Sequence, residues 1–253
     1  MSARAGVLVL LLGLAAPAAA QNLRSRVEGA PDGTVRMSFA AKPGVCGNGH
    51  NISHRRGGQD WEHDCESGPV RVVVEMSGGR PVEVRTYVGG RWRTPREGTR
   101  VTDLGMVGAA EAATWLLNLA ERETERIRGD LILPAILADS TEAWPVLLRI
   151  AKNQQVRNDT RKQAVFWLSQ EAGEAATRGL AELVQDDDED REIRKQAVFA
   201  LSQLDNDRGV PELIKVARTH RDPQIRKNAI FWLGQSEDPR AIALFEELLT
   251  KNR

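Results

Sequence analysis

The chain has 253 residues, of which 41% are apolar and 28% charged, and its 35 Lys and Arg are matched by 35 Asp and Glu. Such a composition excludes a disordered chain, and the zero net charge gives no overall basic field to hold nucleic acid. The length allows one large domain or two small ones.

The first twenty residues have the layout of an export signal. Arg4 supplies a positive start, Val7 to Ala16 is a short apolar run, and Ala18-Ala19-Ala20 offers a small-residue cleavage site before Gln21. The run is shorter than the about 20 residues that a membrane-spanning helix needs. No Cys follows Ala20 to take a lipid, and no later stretch is long and apolar enough to span. Residues 1–20 are therefore expected to be removed. The mature protein is expected in the periplasm or outside the cell, with no membrane span.

Residues 21–103 are expected to form a small β-rich domain. Thr34 to Ala40 alternates, with Val35, Met37 and Phe39 on one side, and Val70 to Met76 is rich in Val. Val82 to Val88 alternates again, and Ser77-Gly78-Gly79-Arg80 before it reads as a hairpin turn. The loop from Gly44 to Gly68 holds Cys46, His50, His54, His63 and Cys65, so three of the four histidines lie between the only two cysteines. In an oxidising compartment two cysteines favour one disulfide, Cys46–Cys65. The alternative is a metal- or redox-responsive loop using His50, His54 and His63, since thiolates and imidazoles are ligands that zinc prefers. A Cys–His nucleophile is also conceivable, but the disulfide would abolish it. No cofactor is expected.

Residues 104–253 are helical in pattern and repetitive. Met106 to Arg122 reads as one helix and Gly129 to Ala138 as a second, an atypical pair that caps the array. Three segments then nearly coincide: RKQAVFWLSQ at 161–170, RKQAVFALSQ at 194–203 and RKNAIFWLGQ at 226–235, starting 33 and then 32 residues apart. Each is followed by a second amphipathic helix, around 175–184, 210–217 and 241–249. An upstream copy of that second helix begins Trp144-Pro145, as a later one begins Val210-Pro211, with Pro where the first helical turn tolerates it. Ser140 and Thr141 are its candidate N-caps. The first helices are apolar over consecutive positions such as Val165 to Leu168, which suits a helix packed on both sides.

The segment Asp222-Pro223-Gln224-Ile225-Arg226, followed by Ala229, resembles the opening of HEAT repeats of the short bacterial, PBS-lyase-like kind. Arg161 and Arg194 stand where Arg226 does. Asp190 matches Asp222, whereas Arg157 replaces that aspartate in the first copy. The resemblance covers about residues 130–253. It implies a mainly α fold, an α-solenoid of HEAT-like helix pairs beside the small N-terminal β domain. It also implies a range of roles that includes scaffolds, chaperone-like binders and lyase subunits.

No phosphate loop, nucleophile elbow or dinucleotide fingerprint appears in the chain. The acidic run Asp186 to Asp190 lacks the glycine and distal glutamate of a calcium loop, and reads as a solvated turn with a helix cap. The recurring Arg161, Arg194 and Arg226 are expected to pair with carboxylates of adjacent repeats. The polar residues beside them, Lys162, Gln163, Lys195, Gln196, Lys227 and Asn228, are the candidate binding residues. Phe166, Phe199 and Phe231 read as core. The expected function is a non-catalytic scaffold for a protein or peptide partner, not for nucleic acid. A lyase-like accessory subunit is a further alternative, which an export signal disfavours.

Overall fold

The computed structural model describes residues 22–49, 51–54, 65–92, 95, 97–123, 125, 127–139, 141–170 and 173–251. The expected signal segment, His50 and His63 lie outside the described residues. The chain enters through a short helix, α1 (Leu23–Glu28), whose N-terminus is capped by Asn22. Seven strands follow: β1 (Gly33–Phe39), β2 (Val45–Gly47), β3 (Ile52–His54), β4 (Glu66–Ser67), β5 (Val70–Ser77), β6 (Arg80–Tyr87) and β7 (Val101–Met106).

The main sheet has the order β6-β5-β1-β7, antiparallel except that β7 runs parallel to β1. Alternation sets its faces. Val35, Met37 and Phe39 of β1 are fully buried, as are Val70, Val72 and Val74 of β5. The β5–β6 turn needs left-handed backbone at two positions, and Gly78 and Gly79 take φ of 60° and 71°. Both their amides donate to the Asp32 carboxylate, at 2.9 and 3.0 Å. Those two bonds hold the Asp32 carboxyl below the usual carboxylate range.

The expected loop at 44–68 holds a second sheet, ordered β3-β2-β4. Its strands are two or three residues long, too short for periodicity to reveal. The Cys46–Cys65 disulfide forms, with Cα atoms 5.3 Å apart, and ties β2 to the residue preceding β4. With both sulfurs joined, neither thiolate is available as a ligand or a nucleophile in this state.

Two helical expectations need correction. The helix expected from Met106 begins at Ala109 (α2, Ala109–Glu121), because Met106 ends β7. β7 is an edge strand with mostly exposed side chains, so it has no apolar alternation. The helix expected over 129–138 shrinks to one turn, α3 (Leu133–Ile136). Gly129 sits at φ 99° against β6, where a Cβ would come within 1.8 Å of the Val84 carbonyl oxygen. Asp130 then accepts from the amides of Ile132 and Leu133, so the helix starts only after it.

Seven helices carry the repeats: α4 (Trp144–Lys152), α5 (Asn158–Gln170), α6 (Glu174–Gln185), α7 (Arg191–Ser202), α8 (Val210–Thr219), α9 (Pro223–Leu233) and α10 (Pro239–Lys251). Pro145 and Pro211 fall in first turns, as expected. The N-cap position of α4 is Ala143, with no side-chain cap, and Thr141 instead donates to the Asp139 carbonyl. α5, α7 and α9 adjoin one another, as do α4, α6 and α8, while α10 lies on α8. The matched segments explain this layering. Ala164, Ala197 and Ala229 let the first helices approach closely, and Leu168, Leu201 and Leu233 fill the space between layers.

Backbone bonds join the sheet to the helices. Lys42 donates to the Leu137 carbonyl and Asp139 to that of Ala40, at 2.8 and 2.9 Å. Val84 donates to the Arg128 carbonyl and Arg128 to that of Val82, at 2.8 and 3.0 Å, along the outer edge of β6. The apolar core runs without a break from Leu23 to Leu244.

Replacing Cys46 and Cys65 by Ser opens a loop of 19 residues. The expected loss is roughly 3 kcal/mol in the chain-entropy account. Urea denaturation of the oxidised protein and of the double variant measures it. An unchanged midpoint would show that this closure contributes nothing.

Candidate interaction surface

Each first helix opens with an arginine that looks inward. Arg161 is 2% exposed, and its guanidinium donates twice to the Ala151 carbonyl, at 2.9 and 2.7 Å. The same group meets the carboxylate of Glu189, which is also buried and belongs to the turn before α7. Arg194 lies 3.9 Å from the Asp222 carboxylate, before α9. Both partners stand 28 positions ahead of their arginines. Because the repeat shortens from 33 to 32 residues, the second partner is the helix-capping aspartate rather than the residue before it. Arg226 turns to the carbonyls of His220 and Arg221, at 2.6 and 3.1 Å.

The acidic run at 186–190 is thus not wholly solvated. Asp190 caps α7 as expected, accepting from Glu192 at 2.8 Å, but Glu189 is buried beneath Arg161. Asp222 caps α9 through the Gln224 amide and takes a bond from Arg191 at 2.9 Å. The Gln224 bond first, and Arg191 after it, hold the Asp222 carboxyl below the usual carboxylate range. A lowered folded-state pKa stabilises above the ordinary carboxylate pKa, and that contribution fades as acid protonates the group.

His220 was passed over in the sequence because a lone histidine carries no pattern. It is buried at 4% exposure. Its Nε2 lies 2.9 Å from the Val184 carbonyl, and its Nδ1 accepts from the Asp222 amide at 3.1 Å. These partners require a neutral ring with the proton on Nε2. The ring ties the end of α6 to the α8–α9 turn.

The six candidate binding residues fall at two equivalent positions of α5, α7 and α9. Lys195 is held by Glu192 of its own helix at 2.9 Å. Lys162 is half-buried and Lys227 exposed, and neither forms an ion pair among the described residues. Gln163, Gln196 and Asn228 are half-buried beside them.

One turn further along each helix come the phenylalanines, and here the core reading fails. Phe166 is 38% exposed and Phe231 55% exposed. The reason lies in one position of the repeat. Trp232 of α9 reaches back and covers Phe199 of α7, with ring centroids 4.8 Å apart. The matching residue of α7 is Ala200, so no indole covers Phe166 in the same way. Phe166 and Phe231 each meet the tryptophan beside them in a T-shaped contact, with centroids 5.2 Å from Trp167 and 5.0 Å from Trp232. The result is an aromatic row, open at both ends, beside cations at one-turn spacing.

Three cations of the second helices reach across to neighbouring helices. Arg149 of α4 reaches Glu121 of α2, Lys152 of α4 reaches Glu182 of α6, and Arg218 of α8 reaches Glu247 of α10. Those charges are spent between neighbouring helices. Among the described residues, no group of His, Cys, Asp and Glu side chains is placed to hold a metal ion, and no helix is long and apolar enough to cross a membrane. The side chain of His54 lies outside the described residues.

Residues 180–253, from the middle of α6 through α10, match the family model for HEAT repeats. No curated protein matches the chain.

Breaking the buried pair on one side is expected to be severe. Glu189→Gln leaves the Arg161 charge buried without its counter-charge and should cost roughly 3–5 kcal/mol. The double change Arg161→Met with Glu189→Leu should recover most of that loss. Chemical denaturation of the three proteins decides it. Equal losses in the single and double variants would show that the Ala151 bonds, and not the ion pair, dominate.

Proposed function

We propose that this HEAT-repeat protein is a non-catalytic scaffold that holds another polypeptide against the outer face of α5, α7 and α9. The observation that carries the reading is the exposure of Phe166 and Phe231 at repeat-equivalent positions. The other large apolar side chains that the described repeats leave exposed, Ile242 and Leu249, lie on the terminal helix α10, whereas these two aromatics stand on the ranked first helices. Exposed aromatics rimmed by polar residues mark surfaces that a partner covers. The side chains present there, aromatic, cationic and amide, recognise a polypeptide rather than transform one.

In this reading the helix pairs form an α-solenoid that begins at α2. The main sheet closes its first end, as the backbone bonds between β6 and Arg128 and between Ala40 and Asp139 suggest. Such an array presents a long, regular surface in proportion to its number of repeats. The protein acts in the periplasm or outside the cell. The cleavable-signal pattern at residues 1–20 supports that setting, and so does the Cys46–Cys65 disulfide, a bond of oxidising compartments.

A photo-crosslinking residue placed at Phe166 or Phe231 of the exported protein tests the face in living cells. The control position is Arg178, exposed on α6. A discrete crosslinked product is expected from the two phenylalanine positions and not from position 178. Products of equal yield from all three positions, or none from any, would rule out this face as the docking surface.

A further inference from the structure

We infer that the occupant of the α5–α7–α9 face is an extended acidic segment of another protein, with two apolar side chains about six residues apart. The inference rests on the scaffold reading above and names its partner class.

The spacing follows from the repeat. Neighbouring packed helices lie 8–10 Å apart, so Phe166 and Phe231, two helices apart, are separated by roughly 16–20 Å. An extended chain advances about 3.3 Å per residue and covers that span in about six residues, an even separation that keeps both side chains on one face. Phe199 cannot serve as a middle anchor of equal strength, because Trp232 already covers it. The segment therefore needs an apolar side chain at each end and only a small or polar one between.

Charge follows from the ion-pair inventory. Lys162 precedes Phe166 by one turn and Lys227 precedes Phe231 by one turn, and neither has a carboxylate partner among the described residues. Lys195, at the middle, is already paired with Glu192. Acidic residues are thus expected beside each apolar anchor, with a neutral centre. The half-buried amides of Gln163, Gln196 and Asn228 lie in the same rank as the lysines. An extended backbone offers them free N–H and C=O groups, which a helix would keep for itself.

The test is a selection from a random 16-residue peptide library displayed on phage, run against the immobilised full chain. It is repeated against a variant carrying Lys162→Glu and Lys227→Glu. The wild type is expected to enrich peptides with two apolar residues about six apart and Asp or Glu beside them. The variant should lose those peptides and enrich Lys or Arg at the same places. A synthetic peptide from the selected set should bind Phe166→Ser/Phe231→Ser at least about tenfold more weakly, as loss of aromatic anchors does. Because the rings are only partly exposed, the urea midpoint of the double variant is measured beside its binding, and the comparison is made where both proteins are folded.

Basic or uncharged consensus peptides from the wild type would overturn the partner class, and so would spacing without preference. A wild-type dimer that dissolves on Phe231→Ser would overturn it too, by showing a second copy as the occupant. If crosslinks form at Phe166 and Phe231 in cells while the selection yields no acidic consensus, the scaffold stands and this inference falls. If neither appears, both fall.

Discussion

The guanidinium of Arg161 crosses from one repeat to the next, bonds the Ala151 carbonyl behind it and meets Glu189 ahead of it, all out of reach of water. Apolar stacking alone would let helix pairs slide, because one Leu or Val contact is much like another. A buried cation does not slide. Its charge must find a carboxylate and its remaining protons must find oxygens, or the cost is several kcal/mol. The arginine ladder therefore fixes the register in which the leucines at 168, 201 and 233 interdigitate. His220 and Asp222 do similar work one boundary later, joining Val184 of α6 to the α9 cap.

The one-residue change in repeat length shows how that constraint is met in practice. For Arg161 and Arg194 the carboxylate stands 28 positions beyond the arginine, whatever the length of the turn. In the longer repeat a separate residue, Glu189, supplies it, and Asp190 is left to cap α7. In the shorter one Asp222 does both tasks, at a longer 3.9 Å from Arg194, and the Nε of Arg194 is left buried without a hydrogen-bond partner. Register at the first boundary thus rests on a tight pair, and at the second on a shared one supported by His220 and Arg191.

The repeats were legible because their signal is redundant. Three near-copies of ten residues carry helix period and close-packing alanines together, and a capping aspartate precedes two of them. The two central strands were legible for a similar reason, since burial on one face imposes strict alternation on Val35, Met37 and Phe39. The elements that escaped reading have no such redundancy. β7 is an exposed edge, β2, β3 and β4 are each too short to show a period, and α3 is cut short by a backbone approach at Gly129 that no local pattern records. In the candidate surface, position could be read and exposure could not. The lysines and amides were placed on one edge by periodicity alone, but whether Phe166 is covered depends on a residue of the next repeat.

That dependence is where the candidate surface and the fold meet. A stacked array ordinarily hides each repeat's large aromatic under the following repeat, as Trp232 hides Phe199. Keeping one exposed takes either the last such helix, as for Phe231, or a deletion of bulk from the following repeat, as Ala200 provides for Phe166. Ala200 is itself fully buried, in the core with Ile193, Ala197, Val198 and Leu201 of the same helix. The change from indole to methyl at this place therefore belongs to the packing of the stack as well as to its surface. One position sets both how α7 is buried and whether the aromatic of the preceding repeat is covered, so surface and stability are coupled there.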